Sequence, residues 1–385
     1  MTEGSLQSLF EKRKNTTLYL LNDANNEAQL LKVLNHENPS IDELARFVNE
    51  YETCKDLDIK GVRKALKSYK TNGKYSILLD FIDGKSLSEF KWRGSLSSPA
   101  DYKKHLIAIF DIYLSLLETV SSLHESSVIH RDIKPSNIVI DQGGSPFLID
   151  FGLAILKSEK AKFEANLDQL EGSLAYLAPE QTGRLNRSQD ARTDLYSLGI
   201  SLYELLTGKV PFEGKDALEL VHQHLAVVAI PPSSLVSFIP KSLDQVISKM
   251  LSKHPEQRYQ SAKGLAADLK LIRQQILQDE VVDNFCPGKL DHFKVFRMPE
   301  GLFGRDKEIK NFIDIFEQSA KGSTGVVRFI GDSGSGKTSL IKEIYKPVTR
   351  FDAKVIKGKW DPIQRMHPYL AIKDAFNELI DHIIS

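Results

Sequence analysis

The eight residues from His130 to Asn137 hold side chains suited to acid–base and metal chemistry. Transfer of a phosphoryl group to a hydroxyl needs a carboxylate that orients and deprotonates the hydroxyl, together with cations that neutralise the phosphates. Asp132 suits the first task, Lys134 would lie near the transferred phosphate, and Asn137 is a candidate magnesium ligand. The segment therefore predicts a phosphotransfer site.

Two further motifs follow at spacings that a single site can accommodate. Asp150 begins an Asp-Phe-Gly triplet thirteen residues after Asn137, directly behind the apolar run 147–149, and its carboxylate suits a second magnesium position. An Ala-Pro-Glu triplet ends at Glu180. Each motif alone is a weak signal, because a single histidine such as His130 is more often a packed core residue than a catalyst. Three motifs in order indicate one catalytic centre.

The elements that must position these residues change in type along the chain. Short β-type runs come first, at 17–21, 29–34 and 75–81, and a helical spacing of apolar residues covers 41–57. Ser40 and Glu43 form a capping-box pattern at the start of that helix. A longer apolar stripe begins at His105, and further helices are predicted at 194–207, 243–250 and 261–277. The pattern predicts a small mixed lobe followed by a helical lobe.

The motifs and their context resemble a eukaryotic-type serine/threonine protein kinase domain, over residues 1 to about 275. The resemblance implies an α+β bilobal fold, ATP and Mg²⁺ in the site, and serine or threonine of a protein as the acceptor. It implies that Lys32 contacts the α- and β-phosphates and pairs with Glu50, eighteen residues later. The alternative for this pair, two solvated surface charges, stays open here. Asp80 and Ile82 would lie in the hinge that meets the adenine.

The resemblance also assigns roles in the larger lobe. It makes Asp132 the catalytic base and Asn137 and Asp150 the magnesium ligands. Its structural residues are Asp194 and the ion pair of Glu180 with Arg258. Its regulatory residues are Arg131, Ser158 and Ser173. A phosphate in the activation segment can neutralise and order an arginine beside the base, which is why these three are grouped.

The phosphate-covering loop departs from the family pattern. A protein kinase carries G-x-G-x-x-G-x-V there, and its glycines let backbone amides approach the phosphates. The one glycine ahead of Lys32 is Gly4. We therefore assign the loop to residues 4–10, and expect the first strand of the small lobe to be missing and ATP affinity to be reduced. A gene start placed too late, a degenerate loop and a pseudokinase are the alternatives.

A second nucleotide motif lies near the end of the chain. Residues 331–338 fit the phosphate-loop pattern G-x-x-x-x-G-K-[ST]. A strand is predicted at 326–330 and a helix at 339–345, the context that such a loop requires. Its phosphate-binding residues are Gly331, Gly334, Gly336, Lys337 and Thr338, and Thr338 would also ligate Mg²⁺. The alternative is a flexible turn rich in glycine and serine.

These assignments divide the chain into four parts. The small lobe covers 1–83, the large lobe 84–277, and a linker dense in helix breakers 278–300. Residues 301–385 resemble the N-terminal part of an AAA-type P-loop ATPase, an incomplete α/β segment that ends before a Walker B strand. The whole resembles large bacterial hybrid proteins that fuse a serine/threonine kinase to an ATPase, a GAF sensor and a histidine kinase. The chain is therefore expected to be part of something longer.

Composition is that of an ordinary soluble protein. Lys+Arg and Asp+Glu both number 51, so no overall charge favours nucleic acid or an anionic membrane. The two cysteines, Cys54 and Cys286, are far apart and predict neither a disulfide framework nor a zinc site. No signal peptide and no membrane span are evident in the sequence. We expect a cytoplasmic protein.

The resulting hypothesis is a serine/threonine protein kinase of bacterial signal transduction. Its expected partners are protein substrates and downstream signalling domains or a partner chain. Two alternatives remain: a pseudokinase that binds ATP as a regulatory module, and a regulatory P-loop ATPase whose kinase-like part only senses.

Overall fold

The computed structural model describes residues 6–23, 25–71, 73–90, 99–156, 173–183, 187–278, 285–291 and 305–332. It also describes residues 335, 337–342, 356, 358, 369, 372–373, 375–377 and 380. These residues belong to two compact units. The first lies within residues 1–299 and the second within 300–385. Each unit is described by itself.

The small lobe of the first unit is a five-stranded antiparallel sheet with one helix. Its strands are β1 (Leu6–Lys12), β2 (Thr16–Asn22), β3 (Ala28–Leu34), β4 (Ala65–Thr71) and β5 (Lys74–Asp80). The strand order is β1-β2-β3-β5-β4, and β3 in the centre pairs Lys32 with Leu18 on one side and Ile77 on the other. The central strand therefore fixes Lys32 on a rigid surface.

The first strand of the small lobe is present, so the expectation that it is missing was wrong. Residues 6–10, which were assigned to the phosphate-covering loop, belong to β1 and pair with β2. The turn between the two strands lies at 13–15 and contains no glycine. A motif search that relies on glycine therefore finds no signal at this turn. Strand β1 is defined by its backbone pairing with β2 rather than by its composition. Gly4 itself lies outside the described residues.

Helix α1 (Ile41–Cys54) packs beside the sheet and begins as the capping pattern predicts. Ser40 Oγ accepts a hydrogen bond from the Glu43 amide at 3.2 Å, and Glu43 Oε2 accepts one from the Ser40 amide at 3.0 Å. Both bonds satisfy amides that have no partner within the helix. The helix buries Glu50 between the apolar residues Phe47 and Cys54, on the face that meets the sheet.

The large lobe is mainly helical, with three short strand pairs at its front. Its helices are α2 (Pro99–Glu125), α3 (Ala191–Thr207), α4 (Ala217–Ala226), α5 (Pro232–Leu235), α6 (Lys241–Met250) and α7 (Ala262–Gln278). Its strands are β6 (Gly84–Ser86), β7 (Val128–Ile129), β8 (Ile138–Asp141), β9 (Pro146–Leu148) and β10 (Ile155–Leu156). The catalytic motifs lie in the segments between these strands.

Helix α2 forms the centre of the large-lobe core. Tyr113, Leu116 and Val120 lie on the predicted apolar stripe and are fully buried. By length and composition, residues 100–125 form the one helix among those described that could cross a membrane. Its packing against α3 and α7 is instead that of a core helix.

Residues 285–291, part of the predicted linker, pack against the large lobe. Asp291 accepts hydrogen bonds from the Gln260 amide at 2.5 Å and from Ser261 Oγ at 2.8 Å. The Gly288 amide donates to Asp268 Oδ2 at 2.6 Å, and Phe285 lies against the core. Asp291 also meets the start of α7 closely, since a side chain at Gly264 would collide with it. This stretch is a folded extension of the lobe.

The second unit contains helices α8 (Asp306–Ala320) and α9 (Lys337–Lys342). The strand predicted at 326–330 is not formed, and Val326 and Ile330 are 94% and 77% exposed. A strand needs a hydrogen-bonded neighbour, and no strand of this unit is assigned among its described residues. Helix α9 confirms the predicted start of a helix behind the phosphate loop.

A buried histidine makes the stability of the large lobe depend on pH. Burial and the charge of Lys253 lower the pKa of His224 to about 3, and Tyr196 Oη lies 3.0 Å from its Nδ1 atom. In the unfolded chain a histidine titrates near 6.5. Below that value the unfolded state binds a proton that the folded state does not, so the free energy of unfolding falls as the pH falls from about 6.5 towards 3.

We therefore expect His224→Gln to reduce this pH dependence by one proton, or about 1.4 kcal/mol per pH unit between pH 6 and pH 4. Urea unfolding of the two proteins across that range measures the difference. His36→Gln is the control, because the His36 ring is 55% exposed. Equal slopes for the His224 variant and the parent would contradict the assignment.

Candidate active site

The predicted ion pair of the small lobe is formed and faces the Asp-Phe-Gly motif. Lys32 Nζ lies 2.5 Å from Glu50 Oε2 and 3.7 Å from Asp150 Oδ1. Arg63 approaches the other oxygen of Glu50 at 3.4 Å. The side chains of Lys32 and Glu50 are 8% and 3% exposed, so the alternative of two solvated charges does not apply. Lys32 on the sheet thus lies beside Glu50 of helix α1 and Asp150 of the large lobe.

Lys32 and Asp150 each stabilise the charged form of the other. Lys32, followed by Arg63 and Lys134, holds the pKa of Asp150 well below its usual range, although burial acts in the opposite direction. Burial tends to lower the pKa of Lys32, but Asp150 and Glu50 outweigh it, so that pKa is raised. An ionised carboxylate at Asp150 is the form that binds a divalent cation.

The catalytic loop holds Asp132 with three hydrogen bonds to its carboxylate. Lys134 Nζ donates to Oδ1 at 3.1 Å and to Oδ2 at 2.9 Å, and Asn137 Nδ2 donates to Oδ2 at 2.9 Å. Lys134 Nζ also donates to Ser173 Oγ at 2.5 Å. The residues predicted from the 130–137 motif are therefore in mutual contact, with a serine hydroxyl of the later segment beside them.

Ser173 was predicted as a phosphorylation site, and the structure places its hydroxyl in contact with the catalytic loop. It is 8% exposed, and its hydroxyl shares Lys134 with Asp132. The motif search gave no sign of this contact, which joins residues 39 positions apart. Its regulatory role stays a prediction. Ser158 lies outside the described residues.

The backbone around the two aspartates is held in unusual conformations. Arg131 and Asp150 have φ values of 68° and 65°, in the left-handed region that non-glycine residues rarely adopt. Asp194, fully buried on α3, accepts hydrogen bonds from the amides of His130 at 3.0 Å and Arg131 at 2.8 Å. The predicted structural role of Asp194 thus has a geometric basis, since it fixes the start of the catalytic loop.

The two magnesium-ligand candidates are linked through the backbone. The Ile149 amide, directly before Asp150, donates to the Asn137 carbonyl at 3.0 Å. His130 Nε2 donates to the Ile149 carbonyl at 3.2 Å, and its ring stacks edge-on against Phe151 with centroids 4.6 Å apart. These bonds hold the Asp-Phe-Gly segment against the catalytic loop.

The donor set fits Mg²⁺. Magnesium takes oxygen ligands, commonly one or two carboxylates with phosphate oxygens and water. Asp150 offers a carboxylate, and Asn137 offers its carboxamide oxygen because its amide nitrogen is engaged by Asp132. The Asp150 side chain is 32% exposed, so its oxygens are reachable from the cleft.

Asn49 is a site residue that sequence reasoning missed. Its Nδ2 atom donates to the carbonyls of Phe151 at 3.2 Å, Gly152 at 3.1 Å and Ala154 at 2.8 Å. Asn49 precedes Glu50 on α1, so the helix that supplies the ion-pair partner also fastens the Asp-Phe-Gly segment. Its contacts span more than 100 residues of sequence, and asparagine has no characteristic signal at this position.

The Ala-Pro-Glu motif is anchored by the predicted pair of Glu180 and Arg258. Their side chains are 1% and 0% exposed, and two parallel hydrogen bonds of 2.7 and 2.8 Å join them. Arg258 also donates to the carbonyls of Ser252, Arg192 and Lys253. Thr193 Oγ1 donates to Glu180 at 2.9 Å. The activation segment is thereby tied to the base of the large lobe.

The predicted hinge lies where β5 ends. Asp80 is the last residue of the strand and pairs with Gln29, and Ile82 follows in the connection to the large lobe. The Phe81 ring stacks edge-on against Phe10 of β1 with centroids 5.7 Å apart. The role of Asp80 and Ile82 as adenine contacts stays a prediction.

The phosphate-loop residues of the second unit are described in part. Lys337 Nζ donates to the carbonyls of Gly331 at 2.7 Å and Asp332 at 2.6 Å. This lysine therefore lies over its own loop. Gly334 and Gly336 lie outside the described residues, and for Thr338 the backbone of α9 alone is described.

A bilobal fold with a lysine–glutamate pair, a held catalytic aspartate and an Asp-Phe-Gly aspartate defines a protein-kinase-type phosphotransferase. Comparison with family models agrees: residues 15–269, more than half of the chain, match the protein kinase domain. The chain belongs to the protein kinase family. Residues 301–385 match the AAA ATPase domain. The predicted fusion of the two is thereby confirmed.

Similar curated proteins include serine/threonine kinases and a hybrid kinase. The chain is 34% identical over 245 residues to a probable serine/threonine-protein kinase of Clostridium perfringens, covering 63% of this chain and 34% of the relative. It is 31% identical over 228 residues to serine/threonine-protein kinase PrkC of Bacillus subtilis, covering 59% and 33%. A match to hybrid signal transduction histidine kinase G of Dictyostelium discoideum is 28% identical over 361 residues, covering 71% and 10%. The chain spans a tenth to a third of these relatives' lengths.

Proposed function

We propose that this chain transfers the γ-phosphoryl group of ATP to serine or threonine of protein substrates in signal transduction. The observation that carries the proposal is the convergence of Lys32, Glu50 and Asp150 with Asp132 in one cleft of a kinase fold. The intact ion pair of Lys32 with Glu50 and the hydrogen bonds that hold Asp132 argue against the pseudokinase alternative. A module that only binds ATP does not require Asp132 to be held by Lys134 and Asn137.

In the proposed mechanism the chain's residues perform four tasks. Lys32 and Lys134 contact the phosphates and offset their charge. Asp132 orients the acceptor hydroxyl and takes its proton, and its position is fixed by the hydrogen bonds from Lys134 and Asn137. Mg²⁺, when bound by Asn137 and Asp150, supplies charge neutralisation at the phosphates. Asp80 and Ile82 position the adenine.

Regulation through the activation segment is part of the proposal. The Arg131 side chain is 7% exposed, its Nε atom has no hydrogen-bond partner among the described residues, and its pKa is lowered by burial and by Arg46. Arg131 and Arg46 are two cations on neighbouring elements, and together they suit the binding of a phosphate on Ser158 or Ser173. Mass spectrometry of the active protein should find this phosphate, and its removal should lower the rate.

The cellular setting belongs to the same proposal. A kinase domain of this composition fits the cytoplasm, with further signalling domains or a partner chain as the recipient of its output. For residues 301–385 we propose nucleotide binding through Lys337 and Thr338, with Thr338 as the Mg²⁺ ligand. The AAA ATPase match supports this second site.

Radiolabelled ATP tests the proposed function with three proteins. Wild type should label a protein acceptor, Lys337→Ala should do so too, and Asp132→Asn should not. If labelling were lost only in Lys337→Ala, or if ATP were consumed without labelled protein, the ATPase alternative would replace the kinase. The two sites are thus separated by one assay.

Asn49 provides a prediction about how α1 controls Asp150. Asn49→Ala removes three hydrogen bonds to the backbone carbonyls of Phe151, Gly152 and Ala154, each worth about 1 kcal/mol. We expect kcat to fall about tenfold and the Mg²⁺ concentration for half-maximal activity to rise, because Asp150 is less well positioned. Asn49→Asp should be worse, since a carboxylate would face three carbonyl oxygens. An unchanged Mg²⁺ requirement in both variants would show that Asn49 has a structural role only.

A further inference from the structure

The turn between β1 and β2 covers the phosphate region in a protein kinase, and here its residues are Arg13, Lys14 and Asn15. Glycines normally let the backbone amides of this turn approach the phosphates. None occurs between β1 and β2 in this chain. This turn therefore lacks the residues that such a backbone contact uses.

The backbone of the turn is already engaged within the small lobe. The Arg13 amide donates to the Thr16 carbonyl at 2.9 Å. Asn35, just beyond β3, donates from Nδ2 to the carbonyls of Arg13 at 3.0 Å and Lys14 at 3.1 Å, and its own amide donates to Asn15 at 2.9 Å. The turn is thus braced by one asparagine, and the Arg13 amide is not available to a phosphate.

Arg13 lies close to the end of β3 that follows Lys32, because Thr16, directly after the turn, pairs with Leu34, two residues beyond Lys32. Burial tends to lower its pKa, but Glu11, Asp150 and Glu50 outweigh burial and raise it. Arg13 is in turn one of the cations that lower the pKa of Asp150. The Arg13 guanidinium is thus a cation of the β1–β2 turn whose charge interacts with Asp150 and Glu50.

The ion pair of Arg13 with Glu11 can be exchanged. Its Nη2 atom lies 2.8 Å from Glu11 Oε2, and the two side chains are 37% and 44% exposed. Exposed pairs of this kind contribute little, about 0 to 1 kcal/mol. A phosphate oxygen offers a stronger partner, because guanidinium matches phosphate with two parallel hydrogen bonds.

We propose that Arg13 binds the β- or γ-phosphate of ATP from the β1–β2 turn and replaces the backbone amides of a glycine-rich loop. The inference rests on the proposed function, since it adds a ligand to the same nucleotide site. It predicts that phosphate recognition at the small lobe depends on a side chain, and that adenine recognition does not.

Calorimetric titration of the full chain tests this inference, with Lys337→Ala present in every protein so that the second site is silent. The titrants are ATP with Mg²⁺ and adenosine. Arg13→Ala should weaken ATP binding about ten- to hundredfold and leave adenosine binding unchanged. Arg13→Lys should recover part of the loss. Lys67→Ala is the matched control, because it removes an exposed positive charge from β4 at the other edge of the sheet.

Glu11→Gln separates a phosphate ligand from a structural ion pair. Release of Arg13 from Glu11 should leave ATP binding equal or tighter, whereas a structural pair requires it to weaken. Unchanged ATP affinity in Arg13→Ala, or an equal loss for ATP and adenosine, would overturn the inference while the proposed function stands. A parent protein that binds neither titrant would instead refute the proposed function.

Discussion

Asp132→Asn is expected to lower the phosphotransfer rate by about 100- to 10,000-fold, the range observed when a general base is removed. An amide cannot accept the hydroxyl proton. It does keep the shape of the side chain and an oxygen for Lys134, which lies 3.1 and 2.9 Å from the two carboxylate oxygens in the wild-type chain. ATP affinity should therefore change little, because Lys32 and Asp150 are unaffected.

Steady-state transfer to a protein acceptor and calorimetric binding of ATP measure the two quantities separately. Asp111→Asn is the matched control, since it makes the same chemical change at a side chain 54% exposed on α2. A transfer rate within threefold of wild type in Asp132→Asn, which would be about 0.6 kcal/mol, would remove Asp132 from the role of base.

Arg258→Ala should cause the largest loss of stability, about 3 to 5 kcal/mol, because it leaves the Glu180 carboxylate buried without its charge partner. Glu180 is joined to Arg258 by two hydrogen bonds of 2.7 and 2.8 Å, and both side chains are essentially inaccessible to water. Arg258 also lies over the Tyr196 ring, 4.7 Å from its centroid. Its removal therefore costs packing as well as charge compensation.

Urea unfolding of the variants measures this loss. Arg273→Ala is the control, because its ion pair with Asp111 has the same 2.7 Å separation but is exposed, and its removal should cost at most about 1 kcal/mol. A combined Glu180→Gln and Arg258→Met variant should lose less than the sum of the single changes, since no uncompensated charge remains. A loss below 1 kcal/mol in Arg258→Ala would contradict the structural role of the pair.

The sequence identified the large-lobe part of the site, because the chemistry of that part depends on residue types at fixed spacing. Asp132, Asn137 and Asp150 must come from adjoining loops, and their contacts follow from a short stretch of chain. The pair of Lys32 and Glu50 could also be predicted, because a strand and the helix behind it bring together residues eighteen positions apart.

The remaining features were harder to predict, because they depend on contacts between separate segments of the chain. The turn at 13–15 is held by Asn35 rather than by glycine, so it has no motif, and the segment 4–10 was assigned in its place. The contacts of Asn49 and Ser173 join segments far apart in sequence, and side chains of these types have many other roles. The strand predicted at 326–330 has apolar residues of the right type, but strand formation depends on a neighbour rather than on composition.

The central claim is tested most directly by incubating the purified wild-type chain with γ-labelled ATP, Mg²⁺ and a protein acceptor, followed by phosphoamino-acid analysis. The account predicts label on phosphoserine or phosphothreonine, with none in the Asp132→Asn protein. Label recovered only as inorganic phosphate, or equal labelling by wild type and Asp132→Asn, would contradict it.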